Sequence, residues 1–262
     1  MADSGNPASG LSLVTADVSS VTVGAVAIPM VPGSYSVNGV SYTHRSAVLT
    51  ALGVLGQGSK SYSISTLDLA LNSATQTGFT GNVDNTAPTA TNIQTANGGG
   101  GVGHAALGDT ITYTFSEQID PQSILSGWTG ASTNVVVRLF DGGCLLNLLL
   151  TICSDDSFAI YNAANSAQLP FGTVNLNRND YHGGGLIGTA SPALFGASGT
   201  PSTMVQSGST ITITLGTAST GTDTAGGNGT MAWSPSVTPY DAAGNLTSAA
   251  GVSESGGGDR DF

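Results

Sequence analysis

The sequence of 262 residues has few charged side chains and almost no lysine. Only 8% of the residues are charged and Lys60 is the single lysine, whereas apolar residues make up 39% of the chain. This apolar fraction is too high for a disordered protein, and the scarcity of Lys, Glu and Arg argues against a helical one. Short runs of β-branched residues separated by turn residues, among them 38 glycines, instead predict an all-β fold.

Positive charge is the scarcer sign, since five Lys and Arg oppose 16 Asp and Glu and the formal net charge is −11. This balance would repel nucleic acid, and no basic stripe offsets it. The excess of acid suits an extracellular surface that collects divalent cations, although acidity can also serve solubility alone.

Long hydrophobic runs are missing as well. No apolar run approaches the roughly 20 residues that a membrane-spanning helix needs, so no membrane span is predicted. The opening residues, MADSGNPASG, lack the charged and then apolar pattern of a signal peptide. The chain is therefore cytosolic, a mature product or an excised fragment, and its composition favours one of the last two.

Cysteine occurs only at Cys144 and Cys153, on either side of LLNLLLTI. Two cysteines this close can close a β-hairpin through a disulfide, which an extracellular location favours; buried free thiols are the alternative. A zinc site would need further ligands and a CxxC spacing, which is absent. In a closed hairpin the leucines cannot all point inward, so we predict a patch that contacts another domain or subunit. It consists of Leu145, Leu146, Leu148, Leu149 and Leu150.

The stretch VDNTAPTATN (residues 83–92) is the clearest boundary in the chain, because Pro88 forces its neighbours into an extended conformation. Before it, alternating runs with the hairpin signal Asn38-Gly39 predict a first domain, residues 1–85. After it, runs such as TITYTF and TITITL predict a longer second domain, residues 86–262. In TITYTF we expect Ile111, Tyr113 and Phe115 to face one way and the threonines between them to face the other.

Three motifs, VDNTAPTA, GDTITYTFSEQID and DAAGN, together resemble the bacterial immunoglobulin-like domains of large secreted surface proteins, among them S-layer proteins and adhesins. The resemblance implies two tandem Ig-like β-sandwiches, of which the second is enlarged by loop insertions. The first domain is similar to a shorter repeat of this kind, with LDLALN where the family has DAAGN, so its turn lacks the glycine.

The motifs LDLALN and DAAGN each place an Asp four residues before an Asn. The pairs are Asp68 with Asn72 and Asp241 with Asn245. Asp and Asn side chains hydrogen-bond nearby backbone in tight turns, and this is the expected role of both pairs. Asp241 and Asn245 are also candidate calcium ligands, because hard cations prefer carboxylate and amide oxygens.

A second candidate calcium site lies at the boundary between the predicted domains. Asp84 and Asn85 in the linker, with Glu117 and Asp120 at the start of the second domain, could supply its oxygens. The alternative is that these residues only cap turns.

Catalytic patterns are weak. Two G-x-G-x-x-G matches, at residues 98–103 and 183–188, do not join a strand to a helix, and no G-x-S-x-G elbow occurs. We expect His44, His104 and His182 to be solvated loop residues, and therefore not to form a triad. The aromatic residues could line a glycan or protein site, but we expect the two tryptophans to fill the core. The candidates are Trp128, Phe171, Tyr181, Phe195 and Trp233.

These observations predict a non-enzymatic structural or adhesive module of a secreted cell-surface protein, which contacts neighbouring Ig-like domains, identical subunits, or a surface glycan or protein. The alternative is a filament or pilus subunit whose N-terminal segment, about Leu11 to Ile28, adds a strand to a neighbour. A carbohydrate-binding or carbohydrate-active module is the outside alternative.

Overall fold

The computed structural model of the chain describes residues 9–37, 40–49, 55–147, 150–183 and 188–262. Strand accounts for 44% of the residues and helix for 2%, which confirms the all-β prediction. The chain forms two compact units, Met1–Asn85 and Thr86–Phe262. In the described part of the chain, no helix combines the length and the apolar character that crossing a membrane would require.

Unit 1 contains a four-stranded and a two-stranded antiparallel sheet. Its strands are β1 (Leu11–Asp17), β2 (Ile28–Pro29), β3 (Val31–Val37), β4 (Val40–Arg45), β5 (Gly58–Asp68) and β6 (Ser73–Val83). The larger sheet has the order β2-β1-β5-β6, and β3 pairs with β4. Val37 lies opposite Val40, as the predicted Asn-Gly hairpin requires, although the two turn residues themselves lie outside the described residues.

The larger sheet of unit 1 follows the alternation of its sequence. Tyr62, Ile64 and Thr66 on β5 share one face, while Ser65 on the other face hydrogen-bonds Thr75 on β6 at 2.9 Å. The N-terminal run forms a shorter strand than its alternation predicts. Strand β1 ends at Asp17, whose Oδ1 accepts a hydrogen bond from the Ser19 amide at 3.0 Å and so begins a loop.

Unit 2 is larger and contains one short helix. Its elements are β7 (Ala90–Ala96), β8 (Thr110–Phe115), α1 (Pro121–Ile124), β9 (Thr133–Phe140), β10 (Cys144–Asn147), β11 (Leu150–Cys153), β12 (Ser157–Asn162), β13 (Thr173–Asn175), β14 (Ala193–Phe195), β15 (Ser202–Ser207), β16 (Thr210–Thr214), β17 (Ala232–Ser234) and β18 (Val252–Ser253). Its main sheet has the order β18-β17-β13-β12-β9-β15-β16-β8-β7, with β14 also paired to β9.

The main sheet of unit 2 folds over its own core, as in a β-sandwich. The Tyr113 ring on β8 lies 4.9 Å from the Trp233 ring on β17, although these strands are far apart in the sheet. Beside them, Asn92 on β7 accepts a hydrogen bond from the Ser255 amide just beyond β18 at 2.8 Å. The two ends of the sheet therefore come together around a buried interior.

The alternation predicted for β8 and the burial predicted for the two tryptophans are confirmed. Ile111, Tyr113 and Phe115 are buried on β8, while the threonines between them are half-buried. All the aromatic residues considered for a glycan site are buried as well: Trp128, Phe171, Tyr181, Phe195 and Trp233. A buried ring cannot stack on a sugar, so these residues serve packing.

Two of the three histidines predicted to be solvated loop residues are placed differently in the structure: His44 lies on strand β4 and is half-buried, and His182 is buried. His182 is 5% exposed, and its Nε2 donates a hydrogen bond to the Ser191 carbonyl at 2.8 Å. The backbone amides of Tyr181 and His182 both donate to the buried carboxylate of Asp156, which holds this glycine-rich segment against the core. Distant backbone partners of this kind leave no local sequence signal.

Candidate functional site

Two loops in the chain share one arrangement of hydrogen bonds. In the loop Asp68–Asn72, the Asn72 amide donates to Asp68 Oδ1 at 2.7 Å and the Asn72 side chain donates to Oδ2 at 2.9 Å. In the loop Asp241–Asn245, the equivalent distances are both 2.9 Å. In each loop the aspartate amide also donates to the asparagine carbonyl, at 3.0 Å and 3.2 Å. We call these two segments the Asp–Asn loops.

The Asp–Asn loops also share a backbone conformation, despite the missing glycine in the first. Gly244 has φ of 90°, and Leu71 at the same position has φ of 67°. A left-handed conformation is ordinary for glycine and unfavourable for leucine. The hydrogen bonds around Asp68 therefore impose the geometry that Gly244 adopts without strain.

Both loop aspartates are stabilised as carboxylates. The side chain of Asn72 holds the pKa of Asp68 below its ordinary value. Burial raises the pKa of Asp241, but hydrogen bonds from Asn245 and from nearby amides outweigh it, and this pKa also lies below its ordinary value. The turn role expected for the two Asp–Asn pairs accounts for these contacts.

The predicted calcium ligands of unit 2 lie at neighbouring positions. Carboxylate oxygens of Glu117 and Asp241 lie within 4.8 Å of each other. Asp120 caps helix α1, since its Oδ1 accepts from the Gln122 amide at 2.9 Å, and its own amide donates to the Tyr240 carbonyl at 2.8 Å. The structure therefore brings the TFSEQID and DAAGN segments of the sequence together.

The predicted calcium ligands of unit 1 lie at its end. Asp84 is half-buried and Asn85 is exposed. The Asn85 side chain donates to the Leu55 carbonyl at 2.7 Å, which is a contact within the unit. Calcium binding by Asp84 and Asn85 stays a prediction.

A carboxylate cluster that sequence reasoning missed lies near residue 262. Oxygens of Glu254, Asp259 and Asp261 lie within 4.8 Å of one another, and Glu254 and Asp261 are buried. Glu254 accepts from the Met231 amide at 3.0 Å, and Asp261 accepts from the Thr95 hydroxyl at 3.2 Å. Three carboxylates in this arrangement could hold a hard cation.

The carboxylate cluster is electrostatically unfavourable when it is fully ionised. Burial and the neighbouring Glu254 carboxylate raise the pKa of Asp261 to about 7. Burial and Asp259 likewise raise the pKa of Glu254. The only sequence signal for this cluster is the spacing of three acids in ESGGGDRD, because their burial depends on strands far away in the chain.

The cysteine hairpin forms with its disulfide, as predicted. Cys144 and Cys153 lie opposite each other on β10 and β11, with Cα atoms 4.1 Å apart. In the leucine patch, Leu145 is 72% exposed, and its cross-strand neighbour Ile152 is 54% exposed. Leu148 and Leu149 lie outside the described residues, as do the side chains of Leu146 and Leu150. The described part of the patch is thus an apolar surface exposed to solvent.

The chain was also compared with known proteins. It matches no family model, no curated protein and no solved structure.

Proposed function

We propose that the chain is a non-enzymatic structural or adhesive module of a secreted bacterial surface protein, built from two tandem Ig-like domains. The pair of Asp–Asn loops is the observation that carries this proposal. The two loops share their hydrogen bonds and their backbone conformation, one in each compact unit. A chain of related modules would contain the same loop in each module, as these two units do.

The hydrogen bonds of the histidine rings support a non-enzymatic role. The His44 ring bonds to the Thr43 hydroxyl, and the His104 ring bonds to the Thr222 hydroxyl. The His182 ring bonds to a backbone carbonyl. A nucleophilic triad needs a histidine oriented by an acid beside a nucleophile, and these rings have other partners.

Two further features support a location outside the cell. The disulfide between Cys144 and Cys153 fits an oxidising compartment. The net charge of −11 fits a surface that is exposed to divalent cations. Both features would serve a module that must remain folded on a cell surface.

Calcium binding is part of the proposal, with Glu117 and Asp241 as its centre in unit 2. A cation there would relieve the repulsion between two nearby carboxylates. Adding calcium should raise the melting temperature of unit 2, because a ligand bound only by the native state stabilises that state. Glu117→Gln should abolish the increase, whereas Asp223→Asn, at an exposed aspartate, should retain it. An unchanged response in Glu117→Gln would show that calcium does not bind at Glu117 and Asp241. Asp84→Ala tests the calcium ligand predicted in unit 1 separately.

A filament subunit is the second candidate, and strand β6 favours it. This edge strand has 11 residues without a charge or a proline, and most of them are exposed. Edge strands of this kind invite pairing with another chain, whereas the opposite edge of the sheet is only two residues long and contains Pro29. Since β1 already lies inside its own sheet, strand addition would use β6.

Electron microscopy of the concentrated chain separates the two candidates. A module should give isolated particles at every concentration, with or without calcium. A filament subunit should give fibres that lengthen with concentration, because pairing of β6 with a different surface of the next copy is a head-to-tail contact, which need not close. If the unchanged chain forms fibres and the Thr77→Lys substitution on β6 abolishes them, the chain is a filament subunit and the module hypothesis is wrong.

A further inference from the structure

Unit 1 has an apolar interior that its own strands fill incompletely. One face of its larger sheet presents Val14 and Ala16 from β1, Tyr62 and Ile64 from β5, and Phe79 from β6. Across the interior lies the β3–β4 hairpin, which contributes Tyr42. Among the described residues of unit 1, four strands thus face a layer of two, and these strands leave space between them.

The result is a cavity of about 500 Å³ lined by residues of unit 1 alone. Val14 and Ala16 are buried at its floor, but Ile64, Tyr62 and Phe79 are only half-buried. Leucine and tyrosine side chains on its border are more exposed still: Tyr42 is 47% exposed and Leu11 is 38% exposed. A volume of this size is in the range of small-molecule sites, which are mostly apolar.

Unit 2 shows that incomplete packing is not a general property of this chain. Residues on the inner faces of its strands, such as Ile111 on β8 and Ile160 on β12, are fully buried. The apolar side chains of unit 1 that stay accessible are therefore a local feature. Apolar surface left in contact with water is unfavourable, and a bound apolar molecule would remove that cost.

The lining also restricts the charge of an occupant. Among the described residues that line the cavity, none is Asp, Glu, Lys or Arg, although the whole chain has 16 acids. Its polar groups are hydroxyls such as Thr43 and Thr66 and the His44 ring, which bonds to the Thr43 hydroxyl at 3.0 Å. A buried charge without a partner is strongly unfavourable, so the lining selects a neutral molecule.

One wall adds a flat aromatic surface. The rings of Tyr62 and Phe79 lie opposite each other on β5 and β6 and stack with centroids 5.2 Å apart. The remaining apolar lining is aliphatic, including Val14, Met30 and Ile64. We propose that this cavity binds a neutral, largely aliphatic small molecule of lipid-like character, so that unit 1 is a ligand-binding unit in addition to any structural role.

The test uses the full chain with Nile red, a neutral apolar dye whose fluorescence rises in apolar sites. We expect saturable binding of one dye per chain, and displacement by decan-1-ol. Decanoate at pH 8 should displace the dye at least about tenfold less well, because the described lining residues include no Lys or Arg to pair with its carboxylate. Equal or better displacement by decanoate would overturn the proposal, as would the absence of saturable binding.

Matched variants place the site. Val14→Phe fills the floor of the cavity and should weaken dye binding by about tenfold or more. Leu13→Phe, at the adjacent β1 residue on the opposite face, should change it less than about twofold. Tyr42→Ala removes an exposed side chain from the wall of the cavity and should also weaken dye binding. This variant tests the site even if Val14→Phe does not fold. If Val14→Phe and Tyr42→Ala both bind the dye as tightly as the unchanged chain, the proposal is overturned.

A second copy of the chain is the competing occupant. Sedimentation equilibrium of the ligand-free chain distinguishes it, since our proposal expects monomers whose mass is unaffected by Val14→Phe. Dimers that dissociate when Val14→Phe is introduced would overturn the proposal, because the cavity would then be a protein interface.

Discussion

Leu71 adopts a backbone conformation that suits glycine better than leucine. Its φ of 67° places a leucine in the left-handed region, where glycine is the ordinary residue. Three hydrogen bonds between Asp68 and Asn72 hold the loop in this conformation. The first Asp–Asn loop is thus strained at one position where the second is not.

Leu71→Gly should therefore stabilise unit 1. Relief of the left-handed strain outweighs the extra backbone entropy of glycine in the unfolded chain, for a net gain of about 0.5–1 kcal/mol. The free energy of unfolding in urea measures the gain. Leu69→Gly is the control, because this nearby exposed leucine has no positive φ, and we expect it to destabilise. Equal effects of the two substitutions would mean that the conformation of Leu71 carries no strain.

Asp261 should make the stability of unit 2 depend on pH. Its pKa is about 7 in the folded chain and 3.8 ordinarily, so the folded state binds the proton more tightly. The free energy of unfolding should then fall as the pH rises from about 4 to 7, by up to about 1.4 kcal/mol per pH unit from this group. Unfolding curves across this range measure the slope.

Asp261→Asn should flatten that slope and raise stability at pH 8, since an amide cannot ionise beside Glu254. Asp223→Asn, at an exposed aspartate outside the carboxylate cluster, should leave the slope unchanged. A slope that persists in Asp261→Asn would assign the pH dependence to another group.

Sequence reasoning at this scale succeeded where partners are local. The Asp–Asn pairs are four residues apart, so the spacing alone predicts their turn role. It failed for His182 and for the carboxylate cluster, because their burial is set by distant partners such as Ser191, Thr95 and Met231. A group of side chains that comes together from separate strands leaves no pattern in any one segment of the sequence.

The hairpin β10–β11 is the element that depends most on a covalent bond. It forms a separate two-stranded sheet, and an isolated pair of strands is marginally stable in water. Among the described residues, a pair of backbone hydrogen bonds between Cys144 and Gly188, each 2.9 Å long, also joins the hairpin to the rest of unit 2. The disulfide therefore contributes much of the hairpin's stability.

Replacing Cys144 and Cys153 by serine should open the hairpin locally. By loop-closure entropy we expect a loss of about 2–3 kcal/mol in its opening free energy. Hydrogen exchange of the amides in β10 and β11 should accelerate accordingly, while the amides of β12 should keep their protection. Unchanged exchange in β10 would show that packing, and not the disulfide, holds the hairpin.

Strand positions were predictable to different degrees. The alternation in β5 and β8 identifies both the strand and its inner face. The run after Leu11 alternates as far as Ile28, yet the strand ends at Asp17, because turn contacts after Asp17 override the pattern. Short strands such as β14, β17 and β18 contain too few residues for a period and are defined by their pairing alone.

At the scale of the whole molecule, the two units differ in how completely they are packed. Unit 2 encloses a large core with many side chains fully removed from water. The described residues of unit 1 include few buried ones and line an open apolar cavity. If the chain is a surface module, the larger unit supplies rigidity and the smaller one is suited to bind a ligand.

Stretching single molecules of the full chain from points near its two ends tests whether the two units are separate structural modules. Tandem modules should rupture in two separate events, and the two released lengths should stand in a ratio of about one to two, as residues 1–85 and 86–262 require at about 3.6 Å per residue. A single rupture that releases the whole length at once would contradict the claim, because the chain would then be one cooperative domain and not two structural modules.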